Sequence, residues 1–410
     1  GRMTTFTPAS IEEAQTWLQQ RLEQPKPFQI RGNQTHFQAK AIPSSVESED
    51  VLSLSKLTAT NFFDPDDMVV GVEAGMNISK LQEILAEKKM VLPVNPWFGN
   101  STLGGLLACN DIGPNRLMMG GLRDCIIGIE YLNGRAERVH AGGKVVKNVT
   151  GYDLCRMMLG SLGGLGVITA ANLKVIPQPV EPHGLYSRFR DTSWLLRVAA
   201  LQEARLPIDW IQALAPATTG EPDWILGIGI SGNPERQARL EKELQSLFQN
   251  QLKSITDGKT NRSLGYLPGT DRYTGWLEGL RKKWKLLPNY LHVMVLLNTR
   301  DALQPIRLEA LQHSDLHQVI HPIGADLHFL LDVEDPNEQL DFLQELKNRF
   351  RRTDAKMVFG NAHPDLSLQD LGEFGRSTAY SFTQRLQRHL DPAGVFHAPF
   401  YQLPQAMNAS

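Results

Sequence analysis

Apolar residues at Ile11, Ala14, Leu18 and Leu22 recur at helical spacing behind the capping box Ser10-Ile11-Glu12-Glu13, which predicts a first helix running to about residue 23. Phe28-Gln29-Ile30 reads as a short strand. It empties into Arg31-Gly32-Asn33-Gln34-Thr35-His36, a small polar turn whose N–H groups suit a phosphate, although its chemistry is equally that of an ordinary loop. Val51-Leu52-Ser53-Leu54 and Met68-Val69-Val70-Gly71-Val72 predict strands, with Asp64-Pro65-Asp66-Asp67 turning the chain between them. Asn77 is placed to cap a helix whose Ile78, Leu81 and Leu85 share a face, with Lys88-Lys89 at its C-terminal end. Ile126 to Leu132, Asn133-Gly134 and then Ala136 to Val139 predict a hairpin closed by a type I′ turn.

Pro177, Pro179 and Pro182 mark a boundary, because each ring removes a ladder donor and restricts its predecessor. Beyond it, extended Leu185 to Phe189, helical Trp194 to Ala204, extended Asp209 to Leu214 and Trp224 to Ile230, a helix from Pro234 capped by Asn233, and a strand near Leu252 to Ile255 follow in turn. The order returns with Leu291 to Leu297 extended, Ala302 to Gln312 helical, Gln318 to Pro322 and Leu327 to Val333 extended, Asn337 to Arg351 helical and Ala355 to Phe359 extended. Two ferredoxin-like β-α-β-β-α-β units would build a large, mostly antiparallel sheet with helices on one face. Between them Trp276, Leu280 and Trp284 beside Arg281-Lys282-Lys283 read as a solvated amphipathic helix. A last helix, Ser381 to Leu390, ends at Asp391-Pro392 and presents Phe382, Leu386 and Leu390 for packing, as on a return to the first domain.

Length changes this picture little: 410 residues suit two domains. Lys plus Arg number 42 against 44 Asp plus Glu, a formal net charge of -2, so no electrostatic footprint for a nucleic acid is present. Cys109, Cys125 and Cys155 have no C-x-x-C spacing, which argues against a disulfide framework and against zinc or iron–sulfur motifs and fits a reducing compartment. No apolar run is long enough for a membrane span and no signal-peptide pattern opens the chain, so a cytoplasmic location is expected, or one peripheral to a membrane through partner subunits. Gly1-Arg2 before Met3 reads as the remnant of a cleaved tag and is set aside.

The candidate chemistry lies in Ser101 to Ile168. Ser101-Thr102-Leu103-Gly104-Gly105, Gly113-Pro114-Asn115-Arg116, Gly120-Gly121-Leu122-Arg123-Asp124, Lys147-Asn148-Val149-Thr150-Gly151-Tyr152-Asp153 and Gly160-Ser161-Leu162-Gly163-Gly164-Leu165-Gly166-Val167-Ile168 form glycine clusters that let backbone N–H groups approach a large, partly anionic ligand. The spacing G-x-x-G-G-x-G occurs late and without an early strand–turn–helix unit, unlike a nicotinamide-binding Rossmann domain.

These residues resemble the PCMH-type FAD-binding domain of the vanillyl-alcohol oxidase family and, more narrowly, the E subunits of bacterial glycolate oxidase, also called glycolate dehydrogenase. The resemblance covers about residues 8 to 180, is faint in the second half, and returns at Leu390-Asp391-Pro392-Ala393-Gly394-Val395-Phe396. It implies an α+β chain with a two-lobed FAD-binding domain over residues 3–180, a cap domain over 181–370 carrying the large antiparallel sheet, and a tail over 371–410 returning to the FAD domain. It also implies non-covalent FAD. By this resemblance Arg31, Gly32, Asn33, Gln34, Thr35 and His36 contact the pyrophosphate, with Pro93 nearby. Ser101, Thr102, Gly104 and Gly105 follow the pyrophosphate and ribityl chain, and Ala108, Cys109 and Gly113 lie near the flavin. Gly166, Val167 and Ile168 contact the adenine side or the ribityl chain through backbone groups.

Relatives carry two or three consecutive glycines in the first loop where this chain has Gly32-Asn33-Gln34, and two added Cβ atoms hinder close backbone approach. His321-Pro322-Ile323-Gly324-Ala325-Asp326-Leu327-His328 is similar to the His-x6-His segment that holds a metal in D-2-hydroxyacid dehydrogenases of the wider family. The Glu-His expected downstream is replaced by Asn361-Ala362-His363, so the segment is read as a structural β-turn-β unit with no metal. No residue is assigned as catalytic; His321, His328 and His363 are the candidates for a base. The expected function is that of an FAD-binding subunit of a 2-hydroxy acid (glycolate) dehydrogenase, transferring hydride from the substrate α-carbon to flavin N5, beside a catalytic flavoprotein subunit and an iron–sulfur subunit. The alternative is a non-catalytic scaffold subunit of the same complex with weak or lost FAD binding.

Overall fold

The computed structural model describes residues 4–32, 50–94, 101–109, 122–144, 152–161, 163–219, 222–255, 284–297, 307–308, 311, 313–323, 326–353, 355–366 and 386–396. Strand β1 (Thr5–Phe6) precedes helix α1 (Ile11–Glu23), whose Ser10 hydroxyl accepts from Glu13 N–H at 3.1 Å. The reciprocal bond of the capping box falls one residue earlier than predicted, from Ala9 N–H to the Glu13 carboxylate at 2.8 Å. Strands β2 (Phe28–Arg31) and β3 (Asp50–Ser53) join β1 in a parallel sheet of order β1-β3-β2. Arg21 of α1 ion-pairs with Asp50 of β3 and lies over the rings of Trp17 and Phe28, which locks the helix to the sheet.

Strand β4 (Thr60–Asp64), which the sequence pattern did not reveal, pairs with β5 (Val69–Glu73). Only intermediate or exposed residues line β4, so it carries no apolar alternation. Helix α2 (Ile78–Ala86) begins at Asn77, whose side chain accepts from the N–H groups of Ser79 and Lys80, and is followed by β6 (Met90–Val91), helix α3 (Leu103–Cys109) and helix α4 (Leu122–Cys125). Strands β7 (Ile126–Leu132) and β8 (Arg138–Gly142), helix α5 (Tyr152–Met158) and strand β9 (Val167–Lys174) complete an antiparallel sheet of order β4-β5-β9-β7-β8.

The hairpin between β7 and β8 forms, but its turn is not type I′. The positive φ falls at Ala136, +59°, while the Asn133 side chain accepts from the N–H groups of Arg135 and Glu137. Gly134 is required for a tertiary reason: a Cβ there would collide with the Leu390 carbonyl and Asp391 of the C-terminal segment. That segment is helical over residues 386–390. Asp391 then accepts from Val395 N–H and Phe396 N–H, both at 2.9 Å, and Phe28 N–H bonds the Val395 carbonyl. Val395 and Phe396 thus enter one hydrophobic core with Leu18, Phe28, Leu52, Leu81 and Leu132.

After β10 (Ile176–Pro177), which pairs with β6, come β11 (His183–Phe189), α6 (Trp194–Glu203), β12 (Trp210–Leu214), α7 (Pro216–Thr219), β13 (Trp224–Ile230), α8 (Pro234–Leu247) and β14 (Lys253–Ser254). Strands β15 (Leu291–Leu296), β16 (Leu316–His321) and β17 (Asp326–Leu331), helix α9 (Pro336–Phe350) and strand β18 (Lys356–Asn361) follow. Together the strands form an antiparallel sheet of order β14-β11-β13-β12-β16-β17-β15-β18. Alternate residues such as Leu316, Ile320, Leu327 and Phe329 pack with Trp194, Leu244 and Phe342 from the helices, and a second cluster, with Trp210, Tyr290, Met294, Val319 and Leu330, contains the intervening residues. The helix expected at 302–312 and that around Trp276 and Leu280 lie largely outside the described residues.

Candidate functional site

Three of the glycine-bearing segments converge. At the end of β2, Gly32 packs so closely on Thr102 that a Cβ would overlap the threonine hydroxyl. Thr102, 3% exposed, accepts from Gly105 N–H at 3.2 Å, and Gly160 N–H bonds the carbonyl of Leu107 in the same helix. Gly163, φ +82°, places its Cα beside Ile30 of β2. The position is fixed from beneath, since Leu103 N–H bonds the Met76 carbonyl, Gly104 N–H that of Ala74, and Ala74 N–H that of Thr169. Thr169 is the extra residue where the register of β9 shifts against β7 between Glu130 and Tyr131. The bulge therefore sits directly under the start of α3.

Arg31 supplies the charge. Its guanidinium donates to the Gln29 side-chain oxygen, through Nε at 3.0 Å and also through Nη2, and burial pushes its pKa down. A neutral amide does not balance a half-buried cation, and among the described residues no acid is paired with Arg31. An anionic ligand would supply the missing charge.

The resemblance-derived residues distribute as follows. Arg31, Gly32, Ser101, Thr102, Gly104 and Gly105 come together, and Ala108 follows on α3, half-buried. Pro93 is buried after β6. Gly166 is buried against the Leu132 carbonyl and the Tyr131 ring, and Val167 and Ile168 bury their side chains in the core, leaving only backbone for a ligand. Asn33, Gln34, Thr35, His36 and Gly113 lie outside the described residues, as does the surrounding of the Cys109 side chain. Cys125 and Cys155 are free thiols; burial pushes them up to about 12 and about 11, so neither is a thiolate nucleophile.

A second constellation crosses the large sheet. His321 Nδ1 lies 2.6 Å from Asp326 Oδ2, and His321 Nε2 lies 2.8 Å from Gln212 Oε1. The same Asp326 oxygen is 3.5 Å from His328 Nε2, and His328 Nδ1 is 3.1 Å from His292 Nε2, with those two rings stacked at an interplanar angle of 19°. Gln212, His321, Asp326 and His328, and His292 stand on the adjacent strands β12, β16, β17 and β15. Burial opposes the charge on Asp326, yet His321 and His328 hold its carboxyl well below the usual carboxylate range. Sequence reasoning weighed the two histidines without a carboxylate and overlooked Asp326; the signal was its register, because Asp326 pairs directly with His321 across the turn. His363 instead accepts from Asp365 N–H, and the Asn361 amide is tied to the carbonyls of Pro288 and Tyr290.

Residues 4–142, which run to the end of β8 and contain Arg31, Gly32 and Thr102 of this glycine-lined, cation-bearing convergence, match the family described as FAD binding domain. The chain thus carries a PCMH-type FAD-binding domain, and FAD is the cofactor of that domain. It is 35% identical over 148 residues to the glycolate oxidase subunit GlcE of Escherichia coli (strain K12), a match covering 36% of this chain and 42% of that protein. It is 31% identical over 171 residues to a D-lactate dehydrogenase of Archaeoglobus fulgidus, covering 42% of this chain and 38% of the relative. The chain therefore spans about two-fifths of the length of these curated relatives. Among solved structures, alkyldihydroxyacetonephosphate synthase shares the fold, with a TM-score of 0.65 at 16% identity over 96% of this chain and 76% of that one. No helix among the described residues is long and apolar enough to cross a membrane.

Proposed function

We propose that this chain is a non-covalent FAD-binding subunit of a 2-hydroxy acid dehydrogenase complex, with glycolate the first substrate to test. The observation that carries the reading is the half-buried Arg31 guanidinium, which among the described residues is paired with the Gln29 amide and with no acid, at the point where Gly32 meets Thr102. When bound, FAD supplies acceptance of a hydride at N5 from a carbon bearing a hydroxyl. Arg31 offers its charge to the pyrophosphate, and Gly32 and the Ser101 to Gly105 segment let the backbone come close to the phosphate and ribityl oxygens. The onward electron acceptors would be a catalytic flavoprotein and an iron–sulfur subunit of the same complex. Similarity to GlcE, itself named as a subunit, supports the partner assignment.

The chain is read as an FAD domain over 3–180, a cap over 181–370 and a returning tail over 371–410. Within the cap, the orders β14-β11-β13-β12 and β16-β17-β15-β18 support two ferredoxin-like units side by side. A second reading, a scaffold subunit that has lost tight FAD binding, is favoured by Asn33-Gln34 in the first loop.

Arg31→Gln tests the site: FAD affinity should fall by about ten- to a hundredfold, corresponding to the loss of a charged hydrogen bond worth about 1.5–3 kcal/mol. Unchanged affinity would remove Arg31 from the site. Glycolate oxidation by the copurified subunits, and not by this chain alone, would support the subunit role; full turnover by the chain alone would exclude the scaffold.

A further inference from the structure

The His-x6-His pattern implies a divalent cation between His321 and His328, and with Asp326 these residues place ligand-type atoms within 4.8 Å of one another. Their finer geometry does not suit one. Two ligands held about 2.0–2.2 Å from a common ion at tetrahedral or octahedral angles stay about 3 Å or more apart. His321 Nδ1 and Asp326 Oδ2 are 2.6 Å apart, the separation of a shared proton. The other nitrogen of His321 faces the Gln212 oxygen at 2.8 Å. Both ring nitrogens are thus engaged by oxygens of the protein at hydrogen-bond distance, so neither is turned toward an open position for a metal. On the far side, His328 Nε2 lies 3.5 Å from the same Asp326 oxygen, and His328 Nδ1 lies 3.1 Å from His292 Nε2. Imidazoles thus flank Asp326 on both sides. The downstream segment adds no ligand: the Asn361 amide is tied to the carbonyls of Pro288 and Tyr290, and His363 does not join the group of ligand-type atoms among the described residues.

We propose that this chain has replaced the metal centre by a closed polar network, His292–His328–Asp326–His321–Gln212, that crosses four adjacent strands and excludes divalent cations. Asp326 takes the central place, with its Oδ2 facing both His321 and His328. The network offers no Lewis acid, so a substrate carboxylate or hydroxyl must be held by other groups of this chain or of a partner. The inference stands whether or not the chain retains FAD.

The test uses the full chain as purified. Elemental analysis should find zinc and manganese far below one ion per chain, and the thermal midpoint should be the same with EDTA, with added Zn2+ and with added Mn2+. Long-range 1H–15N spectra should show one strongly downfield imidazole N–H from the short His321–Asp326 contact, a signal lost in His321→Gln and in Asp326→Asn. One tightly held ion per chain, removed by EDTA with a fall in the midpoint and absent from His328→Gln, would overturn the proposal.

Discussion

At the scale of single residues the account rests on charge and on contact distance. Asp326 carries a charge that burial opposes, and the imidazoles on either side hold it ionised. Its folded pKa lies below the unfolded value, so the stability it contributes is complete above about pH 4 and is lost as pH falls through the folded value. Asp326→Asn removes the carboxylate that both imidazoles face in a buried site, a change that should cost about 3–5 kcal/mol at pH 7. The gap between the two proteins should narrow as the medium is acidified toward pH 3, read by denaturant unfolding; a gap constant with pH would contradict the ion pair. Gly32→Ala tests the other site. Its Cβ would meet the Thr102 hydroxyl, and overpacking of this kind costs about 1–3 kcal/mol. FAD release should accelerate with little change at the distant large sheet; undiminished retention of FAD would show that the Gly32–Thr102 contact is unrelated to the cofactor. The glycines were legible from the chain as site glycines, but their reasons divide: Gly32 makes way for Thr102, whereas Gly134 makes way for the Leu390 carbonyl, 256 positions away in the sequence and invisible to any local rule.

At the scale of elements, local signals carried most of the helices. Ser10, Asn77 and Asn233 cap the helices they were expected to cap, and Pro234 opens α8. Strands with strong apolar content, β7, β13 and β17, fall where periodicity puts them, while β4 lacks such a pattern and was missed. The turn after β7 shows the limit of dipeptide rules, because Asn133 closes it through its side chain and the positive φ moves to Ala136. The C-terminal segment is an element without regular pairing that still finishes a core. Asp391 is buried, burial pushes its carboxyl up, and it satisfies the N–H groups of Val395 and Phe396. Asp391→Ala would leave both donors buried at about 1–3 kcal/mol each. The thermal midpoint should fall by several degrees, with hydrogen exchange rising first at Phe28, whose N–H bonds the Val395 carbonyl. Unchanged protection at Phe28 would show that the bridge holds without its cap.

At the scale of the whole molecule, two hydrophobic cores lie beside two different kinds of site. One core underlies the convergence of Arg31, Gly32, Thr102 and Gly163, and its residues include those matched to the FAD binding domain family. The other backs the large antiparallel sheet, whose imidazoles close on an internal carboxylate. The first was legible as a glycine pattern; the second required the register of β16 against β17 to bring Asp326 to His321. The most direct test is the ultraviolet–visible spectrum of the purified protein before and after denaturation and filtration. Flavin bands that pass entirely into the filtrate are the predicted result. A colourless protein that also fails to take up added FAD would contradict the central claim and leave the scaffold reading in its place.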